Sequence, residues 1–290
     1  VPYLTYEKRK LIIKNIKYVN KIIPQNTLDY TYNLKLLKPN YVVHGDDWKE
    51  GIQKNTRYNV IKTLKKWSGK LVEPKFTKNI SSSIIRNSII EFITTPQNRV
   101  SRLKRLIATK NIVRILESHN SLTGLIIETL KVSKKNIDIE FDGMWSSSLT
   151  DSATKGKPDN SSLDFSARIS SINDMMDVTT KPLVFDADNG GQIEHLPFLI
   201  RSLERAGTSA IIIEDKIGLK KNSLFKNQTG TKQDKPNIFA KKIKKICTSR
   251  QSKDFMVIAR IESFIIGKGL DDALKRAEIY SKAGADAILI

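Results

Sequence analysis

LVFDADNGG, residues 183–191, is a short apolar run that ends in two aspartates one residue apart, followed by a pair of glycines. AIIIEDK, residues 210–216, repeats the form: apolar residues, then a carboxylate at Glu214. Continuous apolar strands separated by helix-like stretches belong to a parallel sheet buried on both faces. The rhythm extends outward in both directions. The spacing predicts strands over 112–116, 139–141, 183–185, 210–213, 256–259 and 287–290, with helices between them such as 270–282. Polar residues gather at the C-terminal ends of these runs. They are Glu117 and His119, Trp145 and Ser147, Asp186 and Asp188, Glu214, then Arg260 and Glu262. That end of a (β/α)₈ barrel is where chemistry is carried out, and charged groups after five successive strands fit it better than solvated loops do.

The residue types narrow the chemistry. Asp186, Asp188 and Glu214 offer oxygen donors with no His or Cys nearby, a set suited to a hard cation, Mg²⁺ or Mn²⁺. Arg260 offers a planar fork for a phosphate or carboxylate. DKIGLKKNSLFKNQTGTKQDKP, residues 215–236, has the length, glycine content and basic charge of a lid that closes over an anion. Within it, Lys216 and Lys221 are read as solvating the loop. Trp145, in W-S-S-S-L, is read as a pocket wall rather than a core aromatic. His119 is given no catalytic role, His44 and His195 are too isolated to be ligands, and Cys247 is read as inert on a basic helix.

Residues 1–93 carry an α/β pattern of their own. Apolar residues have helical spacing over 6–19, Tyr41–Val43 reads as a short buried strand, and 57–67 is amphipathic. TTPQN at 94–98 marks a break, with Pro96 suited to a first helical turn. The helix over 99–109 is strongly basic and is expected on the surface of the second domain, 94–290.

With 39% hydrophobic residues the chain can build packed cores, and one cysteine excludes an internal disulfide framework, which fits a reducing, cytoplasmic setting. No apolar run approaches the ~20 residues of a membrane helix, so no membrane partner is expected. The net charge of +20 raises a nucleic-acid partner. The lysines, however, are spread along the chain beside Asn and Ile, and no zinc spacing or RNA-binding aromatic pattern accompanies them. A solvated basic surface that favours an acidic, phosphorylated small molecule is the preferred reading. A basic nucleic-acid-binding protein on a degenerate barrel is the rival from another class.

EDKIGLKKNS (214–223) resembles the E-D-K-x-x-x-K-x-N-S signature of phosphoenolpyruvate mutases. ESHNSLTG (117–124), DGMWSSSLTDS (142–152), FDADNGG (185–191), IARIESFIIGKGLDDALKRA (258–277) and GADAILI (284–290) extend the resemblance over about 95–290. It implies Mg²⁺-dependent isomerisation of phosphoenolpyruvate to 3-phosphonopyruvate, the entry to phosphonate biosynthesis. In that case Asp186 holds the metal directly, with Asp188 and Glu214 around its waters. Asp159 sits beside the migrating phosphoryl group, and Ser147, Ser148 and Leu149 bind the substrate carboxylate. Trp145 walls the pocket, Lys220, Asn222 and Ser223 arrive with the lid, and Arg260 clamps the anion. The family usually has Gly where Ser148 stands. The related isocitrate-type C–C lyases carry a loop cysteine that is missing here. Phosphonopyruvate hydrolase, the nearer alternative, differs at the position of Asn222.

LTYEKRKLI (4–12), HGDDW (44–48) and KNISSSIIR (78–86) resemble the C-terminal part of glycerol-3-phosphate-type cytidylyltransferases. That likeness implies a partial Rossmann-like nucleotidyltransferase domain using CTP, with Asp46, Asp47, Trp48, Ser81 and Ser82 near the nucleotide. The family's H-x-G-H motif is absent. The fold expectation is therefore α/β: a partial nucleotidyltransferase domain followed by an incomplete (β/α)₈ barrel that stops after about six strands. The chain begins on Val1 rather than Met and ends inside its last strand, so it reads as a fragment of a bifunctional protein that forms a homo-oligomer when full length.

Overall fold

The computed structural model describes residues 5–75, 82–134, 137–218, 220 and 232–290. The chain divides into two compact units, Val1–Ile84 and Ile85–Ile290.

The first unit contains α1 (Tyr6–Lys14), α2 (Thr31–Leu37), β1 (Tyr41–Val43), α3 (Lys54–Leu64) and β2 (Lys70–Val72). β1 and β2 pair in parallel, with Val42 opposite Leu71. Leu34, Trp48, Val60 and Leu64 form the core under them. Parallel pairing with helical connections is the α/β arrangement that the pattern implied. Two details differ from it. α1 ends at Lys14 because the Asn15 side chain takes the Leu11 carbonyl at 2.8 Å, competing with the helical ladder. β1 is not a buried strand: Tyr41 and Val43 are 61% and 66% exposed, since only one face of this pair meets a core.

The second unit runs α4 (Ser82–Thr94, which crosses the division), α5 (Pro96–Thr109), β3 (Ile115–Glu117), α6 (Ser121–Thr129), β4 (Lys131–Lys134), β5 (Ile137–Glu140), β6 (Gly143–Ser146), α7 (Ser148–Thr154), α8 (Phe165–Val178), β7 (Leu183–Asp186), α9 (Leu196–Arg205), β8 (Ala210–Glu214), β9 (Lys216–Ile217), β10 (Lys232–Gln233), α10 (Pro236–Ser249), β11 (Met256–Arg260), α11 (Gly269–Lys282) and β12 (Ala287–Leu289). Six of these strands form one parallel sheet in the order β3-β6-β7-β8-β11-β12. Each strand lies beside the next in sequence, so the sheet winds in one direction, as a (β/α)₈ barrel does, and supplies six strands of its arc.

The two faces of the sheet alternate. Met144, Phe185, Ile211, Ile213, Val257 and Ala259 pack outward on the helices, in one cluster with Leu199, Ile243 and Tyr280. Val184, Ala210, Ile212 and Met256 form the inner cluster, with Trp145, Ile258 and Leu289 against it. Burial of one such side chain contributes roughly 1.5–3 kcal/mol, which is why the apolar runs dominate the architecture.

Two expectations are corrected here. The strand expected at 139–141 is half of a hairpin, β4 with β5, and the sheet strand is β6. I-D-I-E at 137–140 alternates and suits a hairpin with a solvated face, whereas Gly143 sits where a Cβ would come 3.1 Å from the Pro182 carbonyl oxygen. α5 is not simply a surface helix. Arg99 is 4% exposed, donating to the carbonyls of Thr94 (2.9 Å) and Met176 (2.8 Å), and Leu103 joins the inner cluster.

Candidate active site

The period of two along a strand sets the site. Val184, Ile212 and Ile258 belong to the inner side, and the residues two positions on are Asp186, Glu214 and Arg260. Strand register brings these ends level. Asp186 lies opposite Ile212, and Glu214 opposite Arg260. Past β7 the chain stays in contact with β8: the Ala187 N–H donates to Ile212 O at 2.9 Å and the Glu214 N–H to Asp188 O at 2.7 Å. Asp188 has a left-handed backbone (φ +51°), and its N–H donates to Asp186 Oδ1 at 3.0 Å. Asp is one of the few residues that tolerate this conformation, and such strain concentrates at functional positions. Gly190 follows at φ +77°, where a Cβ would lie 3.3 Å from Ile213 and Leu196.

A cleft of about 470 Å³ opens at this end, lined in part by Trp145, Ser147, Ser148, Asp159, Asp186, Lys220 and Arg260. The Lys220 ammonium is held by Asp188, by the Ser148 hydroxyl and by Asp159, the last at 2.9 Å. The Ser148 hydroxyl in turn donates to Asp186 Oδ2 at 3.2 Å. Arg260 points its Nε at Glu262 Oε1 (2.7 Å), and its Nη1 stands 3.9 Å from Glu214. Glu262, fully buried, also pairs with Lys216 at 2.9 Å.

The electrostatics show a shortage of positive charge. Burial raises the Glu214 carboxyl to about 7; Glu262 and Asp186 add to the shift, while Lys216 and Arg260 oppose it. Burial and the neighbouring Asp188 also push Asp186 above the ordinary carboxylate range. Burial disfavours the Lys220 ammonium, yet Asp188, Asp186 and the hydrogen bonds to Asp188 and Asp159 outweigh it, leaving its pKa above the usual lysine value. An added cation at the strand ends would relieve the crowded carboxylates. Among the described residues, no three acidic, His or Cys side chains converge closely enough to enclose an ion. Asp186, Asp188 and Glu214 offer oxygen donors only, the ligand chemistry that a hard divalent ion takes.

Of the residues singled out from sequence, Trp145, Ser147, Ser148, Leu149, Asp159, Asp186, Lys220 and Arg260 line one cleft. Asp188 joins through Lys220, and Glu214 through Arg260. Asn222 and Ser223 lie outside the described residues. Lys216 does not solvate a loop: it is 3% exposed and paired with Glu262, while Lys221 lies outside the described residues. In the first unit Asp46 and Asp47 begin a short helix (Asp46–Lys49). Trp48 is a core residue, 1% exposed, stacked on His44 at 3.7 Å and donating to Glu73 at 2.8 Å. Ser81 and the side chain of Ser82 lie outside the described residues. Sequence reasoning gave no role to Glu117, Ile265 and Leu289, which also line the cleft, nor to Arg168, buried behind it. Glu117 was visible as a strand-end carboxylate; Arg168, on a helix, carried no local signal.

Residues 103–290 match the model of the phosphoenolpyruvate phosphomutase family, and residues 1–88 match that of the cytidylyltransferase-like family. The chain is 36% identical over 209 residues to the phosphoenolpyruvate phosphomutase of Tetrahymena pyriformis, covering 71% of this chain and 66% of that protein. The crystal structure of phosphoenolpyruvate phosphomutase from Streptomyces platensis subsp. rosaceus superposes with a TM-score of 0.58 at 34% identity, over 65% of this chain and 62% of that one. A phosphonopyruvate hydrolase complex with oxalate and Mg²⁺ superposes with a TM-score of 0.57 at 28% identity, over 66% and 62%. The chain thus spans somewhat less than two thirds of the length of these relatives.

Proposed function

This chain belongs to the phosphoenolpyruvate phosphomutase family, and on that premise we propose that its second unit interconverts phosphoenolpyruvate and 3-phosphonopyruvate with Mg²⁺. The observation that carries the reading is the single cleft lined by Trp145, Ser147, Ser148, Asp159, Asp186, Lys220 and Arg260. The reaction breaks the bond from phosphorus to the enol oxygen and forms one from phosphorus to the methylene carbon, so it needs charge stabilisation and protection from water more than proton transfer.

Asp186 would hold the metal directly, and Asp188 and Glu214 would receive its waters. The bound ion would supply positive charge to the substrate oxygens. Lys220, already fixed by Asp188, Asp159 and Ser148, places an ammonium in the cleft beside Asp159, the carboxylate nearest the proposed phosphoryl position. Arg260, aligned by Glu262, presents the rest of its guanidinium to the anion. Ser147 and the backbone N–H groups of Ser148 and Leu149 would take the carboxylate, and Trp145 closes the wall. The family resemblance would add Asn222 and Ser223, which lie outside the described residues, as groups that keep water out.

Phosphorus NMR of the full-length protein with phosphonopyruvate and Mg²⁺ tests it. A growing phosphoenolpyruvate signal is expected. Inorganic phosphate and pyruvate without that signal would assign hydrolysis instead.

For residues 1–93 the proposal is a CTP-using domain that transfers CMP from CTP to an oxygen of a phosphonate made downstream of 94–290, with pyrophosphate as the leaving group. The match over 1–88 and the parallel β1–β2 pair support it. Asp46 and Asp47 remain the proposed nucleotide contacts, while Trp48 supports them from the core. Radiolabelled CTP with 2-aminoethylphosphonate should yield a CMP conjugate from the full-length protein; no conjugate would remove this half.

A further inference from the structure

Arg168 lies in the first turn of α8, yet its guanidinium reaches beneath the ends of two strands and a neighbouring helix. It is 2% exposed. Nε donates to Asp151 Oδ2 at 2.8 Å, Nη1 to the backbone carbonyl of Asp186, and Nη2 to the backbone carbonyl of Ser146 at 3.1 Å. The Ser146 hydroxyl donates to the same Asp151 oxygen at 2.7 Å. The guanidinium plane lies 4.2 Å from the centroid of the Phe185 ring. One planar group therefore ties the last residue of β6, the last residue of β7 and the first turns of α7. Those segments carry Ser147, Ser148 and Leu149 on one side and Asp186 on the other.

We infer that Arg168 is a positioning residue for the site: it fixes the distance between Asp186 and the Ser147–Leu149 turn, while its own charge is paired with Asp151. Hydrogen bonding alone does not require an arginine at this depth. Three carbonyl and carboxylate acceptors on three elements, arranged around one plane, do, because only the guanidinium supplies that many donors in fixed geometry. A lysine would keep the charge but could not hold all three acceptors in plane. The inference rests on the metal reading above, since its main consequence is the affinity of the Asp186 end for a divalent ion. Outer partners of metal ligands typically set that affinity by roughly 10–100-fold, and Arg168 would act through the backbone carbonyl of Asp186 rather than through its carboxylate.

The structural role has to be separated from the positioning role. Arg168 is the charge partner of Asp151, which is 4% exposed, so Arg168→Met strands a buried carboxylate. The double variant Arg168→Met/Asp151→Asn removes both charges and should recover most of the lost thermal stability. The test is Mn²⁺ binding to the full-length protein, read by electron paramagnetic resonance with no substrate present, in wild type, Arg168→Lys and the double variant. Mn²⁺ affinity should fall about tenfold or more in the double variant, with stability near wild type, and by a smaller factor in Arg168→Lys. Affinities within twofold of wild type in both variants would overturn the inference and leave the metal reading intact. A wild-type protein that takes up no Mn²⁺ would overturn both.

Discussion

At the scale of single residues, the site is a set of charges whose positions were readable and whose partners were not. Asp186, Glu214 and Arg260 stand two positions beyond inner-face apolar residues, so a period-two reading locates them. Lys216 shows the opposite case. Its neighbours Asp215 and Ile217 gave it the look of a loop lysine, but it is buried against Glu262, from a different strand end. Nothing within a few residues of Lys216 announces that partner. We expect Lys216→Met to destabilise the second unit by ~3 kcal/mol, the lower end for breaking a buried pair, because Arg260 still holds the other oxygen of Glu262. Urea denaturation at pH 7 measures it; a change under ~0.5 kcal/mol would show that the pair carries no net stability.

At the scale of elements, the turn after β7 decides whether Asp186 and Asp188 face one side. The sequence shows two aspartates one residue apart at a strand end, but the left-handed Asp188 and the tight seat of Gly190 against Ile213 and Leu196 are visible only in three dimensions. Gly190→Ala should cost about 1–2 kcal/mol from its backbone conformation alone. The added methyl must also displace Ile213 or Leu196, so Asp188 should shift and Lys220 lose its fixed contact. Turnover of phosphonopyruvate should then fall more steeply than the thermal midpoint, and a variant with full activity would show that this turn does not place Asp188. The mistaken strand at 139–141 is also an element-scale lesson. Two β-forming segments, 137–140 and 143–146, adjoin each other, and local pattern favours the wrong one for the sheet because Gly143 weakens the second by propensity, although a larger residue there would crowd the Pro182 carbonyl.

At the scale of the whole molecule, two units each have their own core, and acid should reveal the first of them. The hydrogen bond from Arg57 holds the Glu73 carboxyl at about 2, below its usual 4.5, with the Trp48 indole adding and burial opposing. A carboxyl lowered in the folded state contributes stability that is complete above the unfolded value and lost as pH falls from about 4.5 toward 2. Fluorescence of Trp48 and Trp67 followed through urea denaturation should show the first unit weakening across that window. Glu73→Gln should flatten the dependence there; an unchanged slope would detach Glu73 from the stability of this unit. No described helix is long and apolar enough to cross a membrane.

The sequence by itself determined the parallel, singly wound sheet, the end of it that carries polar groups, and the identity of most residues lining the cleft. The sheet and its polar end follow from local periodicity, because a buried parallel strand must be apolar throughout and its first exposed end must turn polar; Ser148, Leu149, Asp159 and Lys220 are given by the family resemblance of their motifs, not by periodicity. The tertiary structure alone decided which of two adjacent segments enters the sheet, that Lys216 and Arg99 are buried, and that Arg168 binds three elements from behind. These depend on contacts between residues far apart in the chain. A long cationic side chain reads the same in sequence whether it ends in water or beneath a carboxylate, since its apolar stem suits either surface and its partner is set by residues far away in the chain.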